Sequence, residues 1–389
     1  MRVRSVVMYC VRIPLRREIR HASHVRLHTD SVVVKVTLAS GVTGYGEGLP
    51  RDYVTGETLD VSTELLRKTN LKGQLGNPAD WDQALTMISR IRLPEVPGDD
   101  RKCVGNAARC ALEIALLDAY GREFGKSLAS ISPKMAPELA QNLPEVRYSI
   151  VLTSTKGRKL ALRALAYRLY GFRQAKLKVG IEGQDDVQRV ATLRRWGGKH
   201  LGIRLDANEA WTTEVGRETL EKTKTFGIQW VEQPLPHENC HDLADFRKAT
   251  GIRVMLDESL CSMIDAERAL AGGWCDLFNL RLSKCGGFLP TLALAQFAKA
   301  NGLSCQLGCQ VGETAILSAA GRQFAQSVSG LEALEGSFDK HLVAEALGTK
   351  DITFGTGGRA PALNSPGLGI EIRPEALARV TQMEETILG

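Results

Sequence analysis

The chain has 389 residues, of which 43% are hydrophobic and 24% are charged, as in ordinary globular proteins. Its 50 basic and 44 acidic residues give a formal net charge of +6 and are scattered along the chain. No long basic run and no interleaving of arginines with aromatic residues is present, which argues against a nucleic-acid-binding protein. Because this length is large for one hydrophobic core, we expect two domains or one large barrel with an attached unit.

The amino terminus and the cysteines predict where the protein resides. The run MRVRSVVMYCVRIPLRREIR begins like a signal peptide, but its apolar part is short and no small-residue cleavage site follows, so we interpret it as a first β-strand. No apolar run approaches the about 20 residues that span a bilayer. Nine cysteines without repeated Cys-x-x-Cys spacing indicate reduced thiols rather than disulfides or zinc ligands. We therefore expect a cytoplasmic protein with no membrane partner.

Residues 1–140 predict a separate α+β domain. The stretch SVVVKVTLASGVTGYGEGLP is typical of two strands joined by a glycine-containing turn. The stretch CVGNAARCALEIALLDAYGREFG, residues 103–125, has small and apolar residues at helical spacing. Strands followed by helices, without alternation, indicate a unit that is distinct from the rest of the chain.

From residue 147 onward, strand-like and helix-like runs alternate. The strand-like runs are RYSIVLT, QAKLKVG, LGIRLDA, IQWVEQ, RVMLDES, CDLFNLRL, LSCQLG and LEALEG. This pattern predicts a parallel (β/α) barrel of the TIM type over residues 141–365. A doubly wound open sheet is the alternative, but it would need a glycine-rich phosphate turn after an early strand, and GTGGRAP follows the strands. The remaining segment, 366–389, is expected to return to the amino-terminal domain.

Charged residues stand at or near the carboxyl ends of five successive predicted strands. They are Lys178, Asp206, Glu232, Asp257 and Lys284, at intervals of 28, 26, 25 and 27 residues. Taken singly, each has an ordinary explanation as a helix cap or an exposed turn residue. The regular interval instead predicts that all five lie at one end of a barrel, the end at which barrel enzymes carry out their chemistry.

The three carboxylates in this series predict a metal site. Carboxylates that converge at one barrel end repel each other, and burying them unpaired costs several kcal/mol, so we expect a cation among them. Oxygen ligands favour Mg²⁺, with Mn²⁺ as an alternative, and the lack of His or Cys at these positions argues against zinc. Asn208, two residues after Asp206, is expected to orient a ligand, with a turn asparagine as the alternative.

The lysines in the series predict acid–base chemistry. Lys176 and Lys178 are two apart in a strand, so their side chains point the same way. Lys176 is expected to lower the pKa of Lys178 and to contact a substrate carboxylate. Lys178 precedes the carboxylates and Lys284 follows them, so we expect the two to reach opposite faces of a small carboxylate substrate. Such a site suits proton removal next to a carboxylate, whereas a Schiff-base lysine, the alternative, needs no metal.

The motifs KLK, DAN, VEQP, LDES and LSKCGG, in this order, resemble the enolase superfamily and specifically its muconate lactonizing enzyme subgroup. GYGEG and YVTGET are similar to the capping domain of that subgroup. The resemblance implies a modified (β/α)7β barrel with an α+β capping domain, and a homo-oligomer. It implies Mg²⁺ at Asp206, Glu232 and Asp257, with Lys178 and Lys284 as the acid–base pair.

The same resemblance implies that two capping loops and the end of the eighth strand select the substrate. The candidate contacts, including an acidic residue after the seventh strand, are Arg20, His21, His24, Tyr53, Thr55, Glu313, Phe338 and Asp339. Dipeptide epimerases have an Asp-x-Asp pair at the eighth strand, where this chain has Ser337, Phe338 and Asp339.

The predicted function is racemisation, epimerisation or cycloisomerisation of a small carboxylate by a metal-dependent isomerase. One alternative is an acid-sugar dehydratase of the same superfamily, which would resemble proteins with a histidine after the seventh strand. The stretch LGCQVGET has no histidine there. A second alternative is a barrel that binds metal without catalysis.

Overall fold

The computed structural model describes residues 1–20 and 25–389. Its amino-terminal unit contains strands and then helices. The strands are β1 (Val3–Arg20), β2 (Val25–Leu38) and β3 (Thr43–Gly48). The helices are α1 (Asp52–Thr55), α2 (Leu59–Lys68), α3 (Leu71–Gln74), α4 (Trp81–Ser89), α5 (Asn106–Glu123) and α6 (Ser132–Met135).

Strands and helices alternate in the rest of the chain. The strands are β4 (Glu145–Arg147), β5 (Ile150–Leu152), β6 (Gln174–Lys178), β7 (Gly202–Asp206), β8 (Ile228–Glu232), β9 (Val254–Leu256), β10 (Leu277–Leu280), β11 (Ser304–Leu307), β12 (Leu331–Leu334), β13 (Arg359–Pro361) and β14 (Thr381–Leu388). The helices are α7 (Gly157–Tyr170), α8 (Asp186–Gly197), α9 (Thr213–Thr223), α10 (Leu243–Thr250), α11 (Met263–Gly272), α12 (Phe288–Ala300), α13 (Ala315–Ser327), α14 (Asp339–Leu342) and α15 (Pro374–Val380). Within the described ranges, no helix is both long and apolar enough to cross a membrane.

The strands β5 to β12 form one curled sheet in chain order, and each neighbouring pair is parallel. The two edges of this sheet meet where the amide N–H of Ser149 donates to the carbonyl of Leu334 at 2.8 Å. The carboxyl ends of these parallel strands therefore lie together, and we call this end the barrel mouth.

A second, antiparallel sheet has the order β14-β1-β2-β3. The last strand of the chain pairs with the first, with Val6 opposite Leu388 and Val11 opposite Thr381. The segment after residue 365 thus contacts the amino-terminal sheet. The exact divisions after residues 140 and 365 stay predictions.

Alternate glycines in the GYGEG stretch let β3 pack directly on helix α5. A Cβ added to Gly46 would lie 2.0 Å from the carbonyl oxygen of Ala111, and one added to Gly44 would lie 2.2 Å from the amide nitrogen of Ala119. Gly48 approaches the next turn of the helix in the same way. Because strand residues repeat every second position and helix residues every fourth, glycine and alanine together permit backbone-to-backbone contact.

The amino-terminal unit covers part of the barrel mouth through buried hydrogen bonds. The carboxylate of Glu47 accepts from the backbone N–H of Thr314 at 3.1 Å and from its hydroxyl at 2.8 Å. The N–H of Leu49 donates to Ser283 at 2.8 Å. Asn106 donates to two backbone carbonyls in the loops that follow β9 and β10. The amino-terminal unit is therefore the capping domain of the barrel.

Candidate active site

The inner face of the barrel changes from apolar to charged towards the mouth. Trp230, Met255, Leu277 and Ala333 form an apolar cluster on this face. Side chains two residues further along each strand point the same way, because strand residues alternate between faces. These next positions and their neighbours bear charged or amide groups: Lys176, Lys178, Arg204, Asp206, Glu232, Asp257, Asn279, Arg281, Gln306 and Glu335. Charged and amide side chains are therefore concentrated at the mouth.

The structure brings the three predicted metal ligands together at the mouth. Asp206 ends β7, Glu232 ends the neighbouring strand β8, and Asp257 directly follows β9. Asp206 and Glu232 are paired across the sheet. All three side chains are almost completely buried. Buried carboxylates at this density require compensating positive charge.

Lys176 lies in the middle of the carboxylates. Its amine lies 3.2 Å from Asp206, 3.2 Å from Glu232 and 2.8 Å from Glu335, and only 4% of its side chain is exposed. Burial alone would lower the pKa of Lys176, but the surrounding carboxylates raise this pKa well above its usual value. Its contacts are those of a fixed counter-ion that holds the carboxylates in position.

Lys178 reaches closer to the opening than Lys176. Its amine lies 3.6 Å from Asp206, donates a hydrogen bond to the amide oxygen of Asn208, and belongs to a side chain that is 16% exposed. Asn208 has a left-handed backbone with φ +42°, and its amide nitrogen donates to Glu258 at 3.2 Å. Asn208 therefore links Lys178 to Glu258 and fixes the direction of the lysine amine.

Lys284, the predicted partner of Lys178 in acid–base chemistry, lies beside Asp257 and is enclosed by internal acceptors. Its amine donates to the carbonyl of Asp257 at 2.6 Å, to the carboxylate of Asp257 at 2.9 Å and to the carbonyl of Asn279 at 2.9 Å. These acceptors account for all three ammonium hydrogens, and the side chain is only 1% exposed. Lys284 lies in the turn that follows β10.

Arg281, directly after β10, is a cation at the mouth that was not predicted from the sequence. Asn279, two residues earlier, donates to Glu232 at 2.7 Å, which shows that this face of the strand points inward. The guanidinium of Arg281 donates to Asp257 and lies 3.5 Å from Glu232, and its side chain is 16% exposed. The alternation in FNLRL was the available signal, because it puts both residues on one face.

Two further buried acids at the mouth were also missed. Glu335, just after β12, lies 2.8 Å from Lys176 and 3.1 Å from Arg204. Glu258 follows Asp257, and burial together with that neighbouring carboxylate raises the pKa of Glu258 well above its usual value. The stretch LEALEG gave a signal for Glu335, which stands at a strand end like the other acids.

Lysines and arginines of the barrel also contact the predicted metal ligands. Within residues 1–20 and 25–389, no three His, Cys, Asp or Glu side chains are grouped as metal ligands would be. Lys176 contacts Asp206 and Glu232, and Arg281 contacts Glu232 and Asp257. Part of the charge of these carboxylates is therefore balanced by the chain itself.

The donor set nevertheless fits a hard divalent cation. Asp206, Glu232 and Asp257 provide carboxylate oxygens from the ends of three adjacent strands, and oxygen ligands suit Mg²⁺. The buried Oδ2 of Asp206 accepts no hydrogen bond from the described residues. Burial, followed by the neighbouring Asp206, raises the pKa of Glu232. Asp206 thus keeps a carboxylate oxygen that can bind a cation, although Lys176 and Lys178 lie 3.2 and 3.6 Å from it.

The capping-loop candidates have different surroundings. The ring of Tyr53 lies 5.4 Å below the guanidinium of Arg26. Thr55 is buried, and its hydroxyl lies 3.4 Å from the carbonyl of Arg51. His21, His24 and the side chain of Arg20 lie outside the described residues.

The candidates near the last two barrel strands are mostly held by internal contacts. Glu313 accepts from the N–H of Gln310 at 2.7 Å, and burial raises the pKa of Glu313 to about 8. Burial also raises the pKa of Asp339 to about 6. The ring of Phe338 stacks on Phe354 at 5.7 Å. Glu313 lines the same small cavity as Glu335, which connects it to the charged residues of the mouth.

The fold and the mouth define a TIM-type barrel enzyme whose catalytic end is covered by a capping domain. Residues 159–376 match the family model described as enolase C-terminal domain-like, and residues 3–131 match the mandelate racemase / muconate lactonizing enzyme N-terminal domain. The chain therefore belongs to the mandelate racemase / muconate lactonizing enzyme family of the enolase superfamily.

Relatives with assigned activities are racemases and epimerases. The N-succinyl-L-Arg/Lys racemase of Bacillus cereus is 28% identical over the full length of both chains, and its crystal structure superimposes with a TM-score of 0.85 over 99% of this chain and 100% of that chain. A dipeptide epimerase of Enterococcus faecalis, solved with Mg and the dipeptide L-Leu-L-Tyr, is 26% identical with a TM-score of 0.81 over 95% of this chain and 100% of that chain. The predicted superfamily, the barrel fold with its capping domain and the isomerase class are confirmed.

Proposed function

We propose that this isomerase removes the proton next to the carboxylate of a small substrate, with Lys178 as the base. The observation that carries the proposal is the partly exposed amine of Lys178 beside buried carboxylates at the barrel mouth. An amine at this position can contact a substrate bound between the barrel mouth and the capping domain. The amine of Lys176 is enclosed and cannot do so. Membership of a family with racemases and epimerases supports the same partial reaction.

Asp206, Glu232 and Asp257 would hold the metal ion, Mg²⁺ or alternatively Mn²⁺. The oxygen donor set supports this assignment, as does the presence of Mg in the related dipeptide epimerase structure. A bound divalent cation supplies positive charge near carboxylate oxygens on which negative charge develops. Asn208 would act indirectly, because it orients both Lys178 and Glu258.

The three lysines of the site have different roles in the proton-transfer step. Lys178 in its neutral form accepts the α-proton as the C–H bond breaks, and the electron pair moves onto the carboxylate as an enediolate. Lys176 keeps Asp206, Glu232 and Glu335 in place through its three ion pairs. Lys284 was predicted to be the second base, and we now infer that it positions Asp257, since its amine is enclosed by three acceptors.

The substrate class is a small carboxylate, and N-acylamino acids are our first candidates. The racemase of Bacillus cereus, matched over its full length, acts on N-succinyl-L-Arg/Lys. A dipeptide is less favoured, because Ser337 stands where dipeptide epimerases have the first acid of their Asp-x-Asp pair. The buried Asp339 and the stacked Phe338 remain candidates for shaping the far end of the pocket.

We also infer a cytoplasmic homo-oligomer. All nine cysteines are free thiols in the described part of the chain, which supports a reducing compartment. Helix α7 exposes Leu162 and Leu169, and Trp196 is exposed on the adjacent helix α8. Large exposed apolar side chains on two neighbouring helices support self-association. Light scattering coupled to gel filtration tests this, and a monomer at micromolar concentration would contradict it.

The test of the proposed function is proton NMR in D₂O. Separate pools of N-acylamino acids, dipeptides and muconate-like diacids are incubated with wild-type protein and Mg²⁺, with wild-type protein and EDTA, and with Lys178→Met and Mg²⁺. We expect loss of an α-proton signal only in the first sample. Lys224→Met, on the outside of the barrel, is the matched control and should behave as wild type. Equal exchange by Lys178→Met and wild type would refute the assignment of the base.

A further inference from the structure

The two partly exposed cations of the charged cluster lie on opposite sides of the three carboxylates. Lys178 belongs to β6, and Arg281 follows β10. The strands between them, β7, β8 and β9, bring Asp206, Glu232 and Asp257. Each of the two cationic side chains is 16% exposed, compared with 4% for Lys176 and 1% for Lys284. A substrate above the carboxylates would therefore have Lys178 on one side and Arg281 on the other.

The chemistry of these two side chains differs. A lysine amine becomes a base when it loses one proton, whereas a guanidinium remains charged in proteins and presents a planar set of N–H donors. That planar set fits carboxylate oxygens, and Arg281 already contacts two carboxylates at the mouth. Arg281 is therefore suited to binding an anion and unsuited to removing a proton from carbon.

Lys284 offers no replacement for a base on the Arg281 side. Its side chain is only 1% exposed, and its three hydrogens are taken by Asp257 and Asn279. Moving the amine into the mouth would leave two backbone carbonyls and one carboxylate oxygen without this donor in a buried region. Leaving such groups unpaired costs about 1–3 kcal/mol for each of them.

We propose that proton transfer occurs only on the Lys178 side of the substrate, and that Arg281 binds anionic oxygens of the substrate from the other side. This inference rests on the proposed function, and it specifies the outcome of that reaction. The α-C–H bond breaks, its proton goes to Lys178, and its electron pair enters the enediolate. Return of a proton from Lys178 to the same face restores the original configuration.

One-sided transfer lets an N-acylamino acid exchange its α-proton without inversion, whereas a cycloisomerisation, which needs a single base, can run to product. In a lactone with a carboxymethyl arm, removal of the α-proton by Lys178 can be followed by cleavage of the β-C–O bond. The electron pair of the enediolate then forms a C=C bond, and the ring oxygen leaves as a carboxylate. The proton held by Lys178 is released to solvent, so the step balances without any further reactant. The reverse step, addition of a carboxylate to the double bond, needs the same lysine as an acid.

The test compares exchange with inversion. Purified N-succinyl-L-amino acids, the corresponding D enantiomers and a γ-lactone acid are each incubated with Mg²⁺ in D₂O. Deuterium at the α-carbon is followed by NMR, and configuration by chiral chromatography. We expect wild type to exchange one enantiomer while the opposite enantiomer forms at least about 100-fold more slowly, as for a face without a general acid or base.

Substitutions at Arg281 separate its roles. Arg281→Lys keeps the positive charge and adds an amine, so we expect the inversion rate to rise at least about 10-fold. Arg281→Met should raise KM without producing inversion. Wild type that inverts its substrate as fast as it exchanges the α-proton would overturn this inference alone. Absence of exchange in every substrate would overturn the proposed function and this inference together.

Discussion

Replacing Lys284 by Met distinguishes a buried structural cation from a base that acts on substrate. The ammonium of Lys284 is bonded to the carboxylate of Asp257 and to two backbone carbonyls in a fully enclosed position. Methionine fills a similar volume but donates no hydrogen bond. Removing one partner of a buried ion pair costs about 3–5 kcal/mol, because the other charge stays buried without compensation. Arg281 still contacts Asp257, so we expect the free energy of unfolding to fall by an amount within this range rather than above it.

Urea denaturation followed by tryptophan fluorescence measures this loss. For a chain of 389 residues, it corresponds to a fall in melting temperature of about 4–6 °C. Lys178→Met is the matched control, because its amine is more exposed and lies 3.6 Å from its carboxylate partner. We expect that control to lose less than Lys284→Met, because Lys176 still contacts Asp206 after the substitution. Unchanged stability of Lys284→Met would refute the structural role assigned to this lysine.

Three other predictions concern the capping interface and the mouth. Gly46→Ala should lower the free energy of unfolding by about 3 kcal/mol in urea denaturation, because the new Cβ would lie 2.0 Å from the carbonyl oxygen of Ala111. Burial raises the pKa of Glu113 to about 7, so the native state binds this proton more tightly than the unfolded state. Wild type should therefore lose up to about 3 kcal/mol of stability as the pH rises from 4.5 to 7. Glu113→Gln keeps an acceptor for the N–H of Leu289 and should not show this loss. Urea denaturation at both pH values measures the difference. Asp206→Asn should weaken Mg²⁺ binding at least about 10-fold in isothermal titration calorimetry, because the metal site loses one charged ligand.

Each of these predictions has a clear contrary result. Gly76→Ala controls for the effect of alanine itself, because its Cβ would meet only Met87 at 3.8 Å. Equal stability of Gly46→Ala and Gly76→Ala would disprove the close-packing explanation. The same pH dependence in wild type and Glu113→Gln would show that this carboxylate is not the group that titrates. Unchanged Mg²⁺ affinity in Asp206→Asn would remove this residue from the ligand set.

Regular spacing explains why the barrel and the positions of its acids could be predicted. One strand, one helix and two loops occupy a nearly constant length, so Asp206, Glu232 and Asp257 recur at the same end of the barrel. Strand alternation also predicted that Lys176 and Lys178 share a face. The two lysines differ in exposure, and this difference separates an enclosed counter-ion from a candidate base. Exposure depends on how the whole barrel and the capping domain pack around each side chain, which strand alternation does not predict.

Lys284 shows where spacing stops being informative. Its interval of 27 residues after Asp257 continues the series, but the residues after β10 form a turn instead of prolonging the strand. The Lys284 side chain is therefore enclosed beside Asp257, while Arg281 is the partly exposed cation of this segment. Spacing also gave no sign that Lys176 and Arg281, from two different strands, would contact the predicted metal ligands.

The most direct test of the account is a crystal structure with Mn²⁺ and a substrate found by proton exchange. We predict an anomalous peak bound by Asp206, Glu232 and Asp257, with the α-carbon about 3–3.5 Å from the amine of Lys178 and the guanidinium of Arg281 on the opposite side of the substrate. A substrate whose α-proton points away from Lys178, or a peak at other residues, would contradict the assignment of this mouth as a one-base active site.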